Sequence, residues 1–488
     1  MLRFYHSFVV LLSVFMCSCS VVSYGQGSRS ISINDVAGVS KNGNSYVVDC
    51  DVDLKGKTLT IPQSSKVVFK GGRIANGTVL FDKAQLEGDV CIDSDIQGTI
   101  TNNEIKATWF GLQSGSKSKQ TKKLQSIIDL FKSNVSSNSW EINPKNPEPT
   151  IIIPAGEYNV IGDVELRSYV TIKGAGRGST ILRGVTFKAT KQYNITIEDL
   201  SLVGYVAATK NGSYNIDNTS HSSAFKLNDC ARLIFKNVCI KNYDVAFDNY
   251  NTCLVDLYSC FVSSCNVCYM NDGKGHGYGG HAIRWYGGEM SDSKYGFVQK
   301  NGSGVLLNGA TLEACKYGVN LIYPTSFSIN SCYFEGNNYD IYGTIVHVNI
   351  ENNYFTEYGK DDDGAYIYAT PSIGFAVIQG NKFGETLPNA PHIMLEEKAV
   401  VYGNILIGQN DIIHGSRIPV SERLLPFISE KGSNVYQTYL PDAEKMLMGQ
   451  TVVYKNPNTG EYYLITRSEE GELLFSPFYT KTNIEHKK

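Results

Sequence analysis

The sequence predicts a right-handed, three-sided parallel β-helix, and two observations carry that reading. A six-residue pattern returns nine times between residues 197 and 406: apolar, variable, turn residue, small or Asn, variable, apolar. It reads IEDLSL from Ile197, FKNVCI from Phe235, LYSCFV from Leu257, WYGGEM from Trp285 and LNGATL from Leu307. It continues as INSCYF from Ile329, IENNYF from Ile350, IQGNKF from Ile378 and VYGNIL from Val401. The starts lie 38, 22, 28, 22, 22, 21, 28 and 23 residues apart, a base period with loop insertions that marks a solenoid. The second observation is another register ten residues before four of the sextets, whose inward residues are Phe225, Phe247, Phe297 and Val319. Each turn therefore holds one strand, a loop, and two short strands around a tight bend, in rungs about 4.8 Å apart.

The fourth sextet position points inward. It is Leu200, Val238, Cys260, Ala310 and Cys332 in earlier rungs, and Asn353, Asn381 and Asn404 in three successive later ones. Stacked Asn side chains can bond amide to amide along the coil.

The elements follow in chain order. Residues 1–25 are expected to be an export signal: Arg3 and His6 precede an apolar run from Phe8 to Phe15, too short to span a bilayer. Two processing readings stand open. Met16-Cys17-Ser18-Cys19 fits a lipoprotein signal with a lipid anchor at Cys19, and Ser23-Tyr24-Gly25 fits a small-residue cleavage site. Either way the mature chain is expected outside the cytoplasm: secreted, periplasmic or lipid-anchored at a bacterial cell surface. Residues 26–111 read as an N-terminal β module, in which Leu59, Ile61, Val67, Phe69, Val79 and Phe81 alternate with polar residues. Residues 112–149 hold a polar linker and an amphipathic helix, with Leu124, Ile127, Ile128 and Phe131 at helical spacing. That helix suits the exposed end of a solenoid. Residues 150–415 are the coil. Residues 416–488 read as a C-terminal cap, with a short helix over 421–430 and a hairpin joining Val452-Val453-Tyr454 to Tyr462-Tyr463-Leu464-Ile465.

Composition excludes some functions. A net charge of −3 with 19% charged residues leaves no basic field for nucleic acid. Ten of the twelve cysteines lie beyond the signal, most at inward positions where they act as small core residues. Cys230 and Cys253, in adjacent rungs, are the one pair placed for a disulfide. No cofactor is implied. Asp361-Asp362-Asp363 is the single candidate for Ca²⁺, although such an acidic loop is ordinarily just solvated.

The order Trp109-Phe110-Gly111, helix, Ile151-Ile152-Ile153-Pro154-Ala155-Gly156-Glu157-Tyr158, then Val170-Thr171-Ile172-Lys173-Gly174-Ala175-Gly176-Arg177-Gly178-Ser179-Thr180-Ile181-Leu182 resembles the pectate-lyase-like β-helix superfamily. That superfamily includes polygalacturonase-type hydrolases, polysaccharide lyases and tailspike domains. The resemblance spans roughly residues 45–415 and implies a substrate groove over the first strand of each rung. Members often carry DGxTDDT before the helix; this chain has Ser114 to Thr121 there instead.

Three insertions, 204–222, 271–282 and 356–364, border that same strand column. Period-2 alternation from the inward residues assigns Lys226, Asp248, Tyr269, Asn320, Tyr342 and Tyr368 to the outward face, with Asn271 and Lys300 two steps further. Asp229 and Asp272 follow and are expected to share a column two rungs apart. Asp248, Asp272 and Asp229 are candidates for the two carboxyls of glycoside hydrolysis. Lys226, Lys300, His276 and His281 are candidates for the base, and for the cations that neutralise the substrate carboxylate, in β-elimination. Tyr269, Asn271, Asn320, Tyr342 and Tyr368 are candidate sugar contacts, together with His276 and His281 of a Gly-rich loop. The expectation is an exported protein acting on a polysaccharide or oligosaccharide, by hydrolysis or β-elimination. The alternative is a β-helix that binds glycans or serves structurally without catalysis.

Overall fold

The tight bend inside each sextet is made by backbone conformation. Its third residue is Asp199, Asn237, Ser259, Gly287, Gly309, Ser331, Asn352 or Gly380, and every one has φ between 49° and 66°. Those residue types are the ones that enter the left-handed region most readily. The bend lets positions one, four and six all face inward, so that Ile197, Leu200 and Leu202, or Ile350, Asn353 and Phe355, are buried together.

The structure, a computed structural model, describes residues 28–30, 45–131, 148–206, 216, 221–274, 279–345, 347–357, 365–370, 376–384, 393–395, 399–402, 405–406, 412–414, 428–429, 451–455, 462–467 and 472–477. It divides into two compact units. In the smaller, parallel pairing joins Ser45–Val48 to Lys66–Phe69, and both Thr58–Ile61 and Ile92–Ile100 to the long strand Ile74–Gly88. Leu59, Ile61, Val67, Phe69, Val79 and Phe81 form its interior.

The larger unit is a parallel β-helix. One sheet runs from Glu104–Lys106 through Ile195-bearing and later rungs to Ala399–Tyr402, all parallel, and supplies the first half of each sextet. The short strands after the bend and the longer first strands of the rungs form the other two sides, with parallel pairing throughout. The coil's strands reach Ile428–Ser429, which pair parallel with Ile405–Leu406. These residues are therefore not part of the helix that the sequence predicts over 421–430. The helix Thr121–Asp129 buries Leu124, Ile127 and Ile128. It is tied to the first turn of the coil by Thr121 Oγ1 donating to Ile161 O (2.7 Å) and by an Arg167–Asp129 ion pair (2.7 Å). Thr451–Lys455, Tyr462–Arg467 and Leu473–Pro477 make a separate antiparallel three-stranded sheet.

Two features organise the core. A file of stacked rings runs Phe187, Phe225, Phe247, Tyr269, Phe297, with centroids 4.9–5.6 Å apart. Tyr269 thus faces inward and is fully buried, not outward as the alternation predicts; it stands opposite Phe247 and Phe297, in the column where an inward Cys268 is implied by counting Tyr269 as outward. The second feature is buried amides. Asn353 Nδ2 and Asn381 Oδ1 are 2.9 Å apart, and Asn381 Nδ2 donates to Ile350 O (2.9 Å). Asn404 lies outside the described residues. A second amide ladder stands at another corner: Asn249 Nδ2 donates to Asn271 Oδ1 (2.7 Å) and Asn271 Nδ2 to Gln299 Oε1 (3.0 Å). Asn271 is therefore also a core residue.

The pairing of Cys230 with Cys253 is not made, and both are free thiols. Cys253 stands opposite Ala231, one residue out of step with Cys230. Since successive strand residues face opposite ways, the two side chains diverge. Burial pushes the Cys230 thiol up to about 11.

Candidate functional site

The first strands Ser223–Asn228, Val245–Tyr250, Val267–Asp272, Tyr295–Gln299, Tyr317–Leu321, Tyr339–Gly343 and Ala365–Ala369 stack in strict register. Their outward side is read in columns. One column is Lys226, Asp248, Met270, Val298, Asn320, Tyr342 and Tyr368. The next holds Asn228, Tyr250 and Asp272, with Lys300 following. Two residues before the inward ring stands a third: Val245, Val267, Tyr295, Tyr317, Tyr339.

The one-residue shift at Tyr269 rearranges the expected strip. Met270 takes the position beside Asp248, and Asp272 aligns with Tyr250. Asp229 sits past its strand at φ 52°, level with Asn251, whose Nδ2 donates to Asp229 Oδ1 (3.2 Å). Asp229 and Asp272 are therefore not one column. Asp248 and Asp272 are the carboxylates that share the face, on neighbouring strands and two residues out of step. One inter-strand spacing and two residues of rise put their Cα atoms about 8 Å apart.

Each of the two has partners. His221, from the first insertion, places Nε2 2.9 Å from Asp248 Oδ2, with only 4% of the histidine and 13% of the aspartate side chain exposed. Lys300 Nζ lies 3.2 Å from Asp272 Oδ2, and Asn301 Nδ2 donates to Asp272 Oδ1 (2.9 Å). Gly273 N also donates to Asp272 Oδ1 (2.7 Å), so the chain turns into its loop directly after the carboxylate. Lys226 is exposed on the same column as Asp248. His281 lies at the corner beyond the strand, where Nδ1 is 2.7 Å from Ser303 Oγ. His276 and Asp361 to Asp363 lie outside the described residues.

Above this polar group the face turns aromatic. Ile216 of the first insertion packs on Val245, Val267, Met270, Tyr295 and Val298. Tyr295, Tyr317 and Tyr339 then stack face to face at 5.1 and 5.3 Å, and Tyr342 stacks on Tyr368 at 5.3 Å. Tyr317 and Tyr342 join the two files at 5.1 Å. Gly296 and Gly318, next in sequence to Tyr295 and Tyr317, let the rungs approach closely there: a Cβ on Gly296 would stand 2.4 Å from Gly318 O. Burial, reinforced by Tyr317 and Tyr342, raises the Tyr295 phenol to about 12. Burial and the neighbouring charge of Lys316 lower Lys294, which borders the file. Asn320 is buried between Val298 and Tyr342.

Sequence reasoning missed His221, which sits in an insertion with no periodicity to mark it. It also missed Tyr295, Tyr317 and Tyr339, although these carry a signal. Tyr-Gly-Phe, Tyr-Gly-Val and Tyr-Asp-Ile recur at the 22-residue period, two residues before the inward position.

Among the described residues, no group of three or more His, Cys, Asp and Glu is arranged to hold a metal ion, and no helix is long and apolar enough to cross a membrane. The chain is thus a parallel β-helix protein with a paired-carboxylate cluster and a tyrosine file on one face. No protein-family model and no curated protein matches it. Among solved structures it is similar to DFA-IIIase from Arthrobacter chlorophenolicus A6 in complex with GF2, at 13% identity over 68% of this chain and 92% of that one, with a TM-score of 0.47. It is also similar to the gp42 tailspike of Acinetobacter phage vb_AbaP_AS12, at 11% identity over 77% and 76% of the two chains, with a TM-score of 0.45.

Proposed function

We propose that this chain is an exported, pectate-lyase-like enzyme that hydrolyses a polysaccharide or oligosaccharide laid along the coil axis, over the first strands. The observation that carries the reading is the projection of Asp248 and Asp272 from neighbouring strands of one face, about 8 Å apart at Cα. Inverting glycosidases hold their two carboxyls roughly 6.5–9.5 Å apart, leaving room for a water on the far side of the sugar from the leaving group. In this reading the His221–Asp248 pair handles the proton delivered to the leaving oxygen. Asp272, oriented by Lys300, Asn301 and the Gly273 amide, takes the proton of the attacking water. Lys300 is engaged with Asp272, which suits an orienting role better than that of a free base for β-elimination.

The tyrosine file extends the groove. Its rings are stacked on one another, so most of their faces are covered. They offer edges and phenol hydroxyls to a glycan instead of broad stacking platforms. That feature supports the second reading, a glycan-binding β-helix without turnover.

The test is to incubate the mature chain with neutral and acidic polysaccharides, reading reducing ends and unsaturated-product absorbance together. Hydrolysis gives new reducing ends alone. Unsaturated product would replace the mechanism with elimination, and retained glycan binding with neither signal would leave the binding reading.

A further inference from the structure

The sheet that supplies the first half of each sextet carries a cleft of its own, on a different sheet from Asp248 and Asp272. Its floor is one outward column across four rungs: Thr196, Ile234, Asp256 and Arg284. Asn194, Arg232 and Leu254 wall it, at φ 53°, 60° and 55°. The three stand level with one another, since Tyr193 pairs with Ala231 and Ala231 with Cys253, while Ile195 pairs with Leu233 and Leu233 with Val255, and their left-handed backbone breaks the strand's alternation at the same place in each rung. Glu148 completes the lining of a volume of about 300 Å³, at the small end of ligand pockets.

The chemistry of the lining is mixed and balanced. Arg284 grips Asp256 with two contacts, Nε to Oδ1 at 2.6 Å and Nη2 to Oδ2 at 3.2 Å, while its side chain stays 40% exposed. Asn194 Nδ2 is buried and donates to no group among the described residues. Two guanidiniums face two carboxylates, so the lining carries no net charge to attract an anion. Donors and acceptors alternate around the apolar patch of Ile234 and Leu254. A small neutral ligand with adjacent hydroxyls and a C–H face matches all of these: hydroxyl oxygens accept from Asn194 and the guanidiniums, hydroxyl protons go to Asp256 and Glu148, and carbon lies on Ile234 and Leu254. We propose that this cleft is a second saccharide site, holding a single neutral sugar unit independently of the first-strand groove.

Saturation-transfer NMR on the full mature chain tests this, with glucose, galactose, mannose and xylose as neutral probes and galacturonate as the charged one. At least one neutral sugar is expected to bind. Asn194→Asp turns the buried donor into an acceptor at a φ that Asp tolerates, and Arg284→Gln removes the fork. Each is expected to weaken binding at least about tenfold at unchanged Tm, while Asp272→Asn leaves it intact. If Arg284→Gln does not fold, Asn194→Asp decides. The proposal is overturned if no neutral probe binds, if galacturonate alone binds, if binding survives Asn194→Asp, or if Asp272→Asn abolishes it.

Discussion

Asn381 Oδ1 accepts two bonds from Asn353, from its backbone N and its Nδ2, both at 2.9 Å. One buried amide oxygen thus holds the neighbouring rung by main chain and side chain together. Asn381→Ala leaves the Asn353 backbone N–H and one of its two Nδ2 hydrogens without their acceptor, the other staying on Ile329 O, and removes the bond to the Ile350 carbonyl. It is expected to cost about 1–3 kcal/mol. Chemical denaturation measures this, and an unchanged midpoint would contradict the ladder.

The carboxylate pair gives the second prediction. Asp248→Asn and Asp272→Asn preserve shape and remove charge, so each should lower turnover by at least about 10²-fold with little change in Tm. The first product released should have inverted anomeric configuration by proton NMR, as the inverting mechanism proposed for the pair requires. Retained configuration would reject the water-mediated geometry.

A third prediction separates core from groove. Tyr269→Ala opens the ring file between Phe247 and Phe297 and should destabilise by roughly 3–5 kcal/mol. Tyr342→Ala trims the outward file and should weaken glycan binding with a small change in stability. Similar effects of both substitutions on binding at equal stability would return Tyr269 to the surface.

Asp340 gives a pH dependence. It is buried at an inward position, and desolvation drives its pKa well above the ordinary 3.8, against a lowering contribution from the Asn337 amide. Folded Asp340 keeps its proton where the unfolded chain has lost it. Stability from this group is therefore complete at low pH and declines as pH climbs above the ordinary carboxylate value towards the raised one. Asp340→Asn removes that loss. The difference in Tm between variant and wild type should grow as pH rises from about 4 to about 8; parallel Tm profiles would show that Asp340 is ionised in the fold.

The coil was legible in the sequence because its signals are local and repeated. The residue types at the third sextet position reflect a single φ, and the first and sixth positions are apolar because both point inward. The groove was half legible. Alternation counted forward from Phe225 and Phe247 is correct for Lys226 and Asp248. It fails at Tyr269 because the insertion that follows removes the ten-residue offset that fixes the register in other rungs, and both Cys268 and Tyr269 can be buried. The Asn249–Asn271–Gln299 ladder was hidden for a related reason: amides in a row read equally well as a solvated surface. His221 had no such pattern, since its place over Asp248 comes from the path of a loop.

The third-position bend has a consequence for how such a protein changes over generations. Asp, Asn, Ser and Gly all make the same turn with φ between 49° and 66°, so a rung is defined by its backbone path more than by any one side chain. Whole units of that kind can be gained or lost with their neighbours closing over the gap, as in other solenoids. The length of this outward face therefore evolves in discrete steps of one rung. Beyond Gly273, whose amide holds Asp272, the loop can meanwhile vary while Lys300 and Asn301 keep the carboxylate in place.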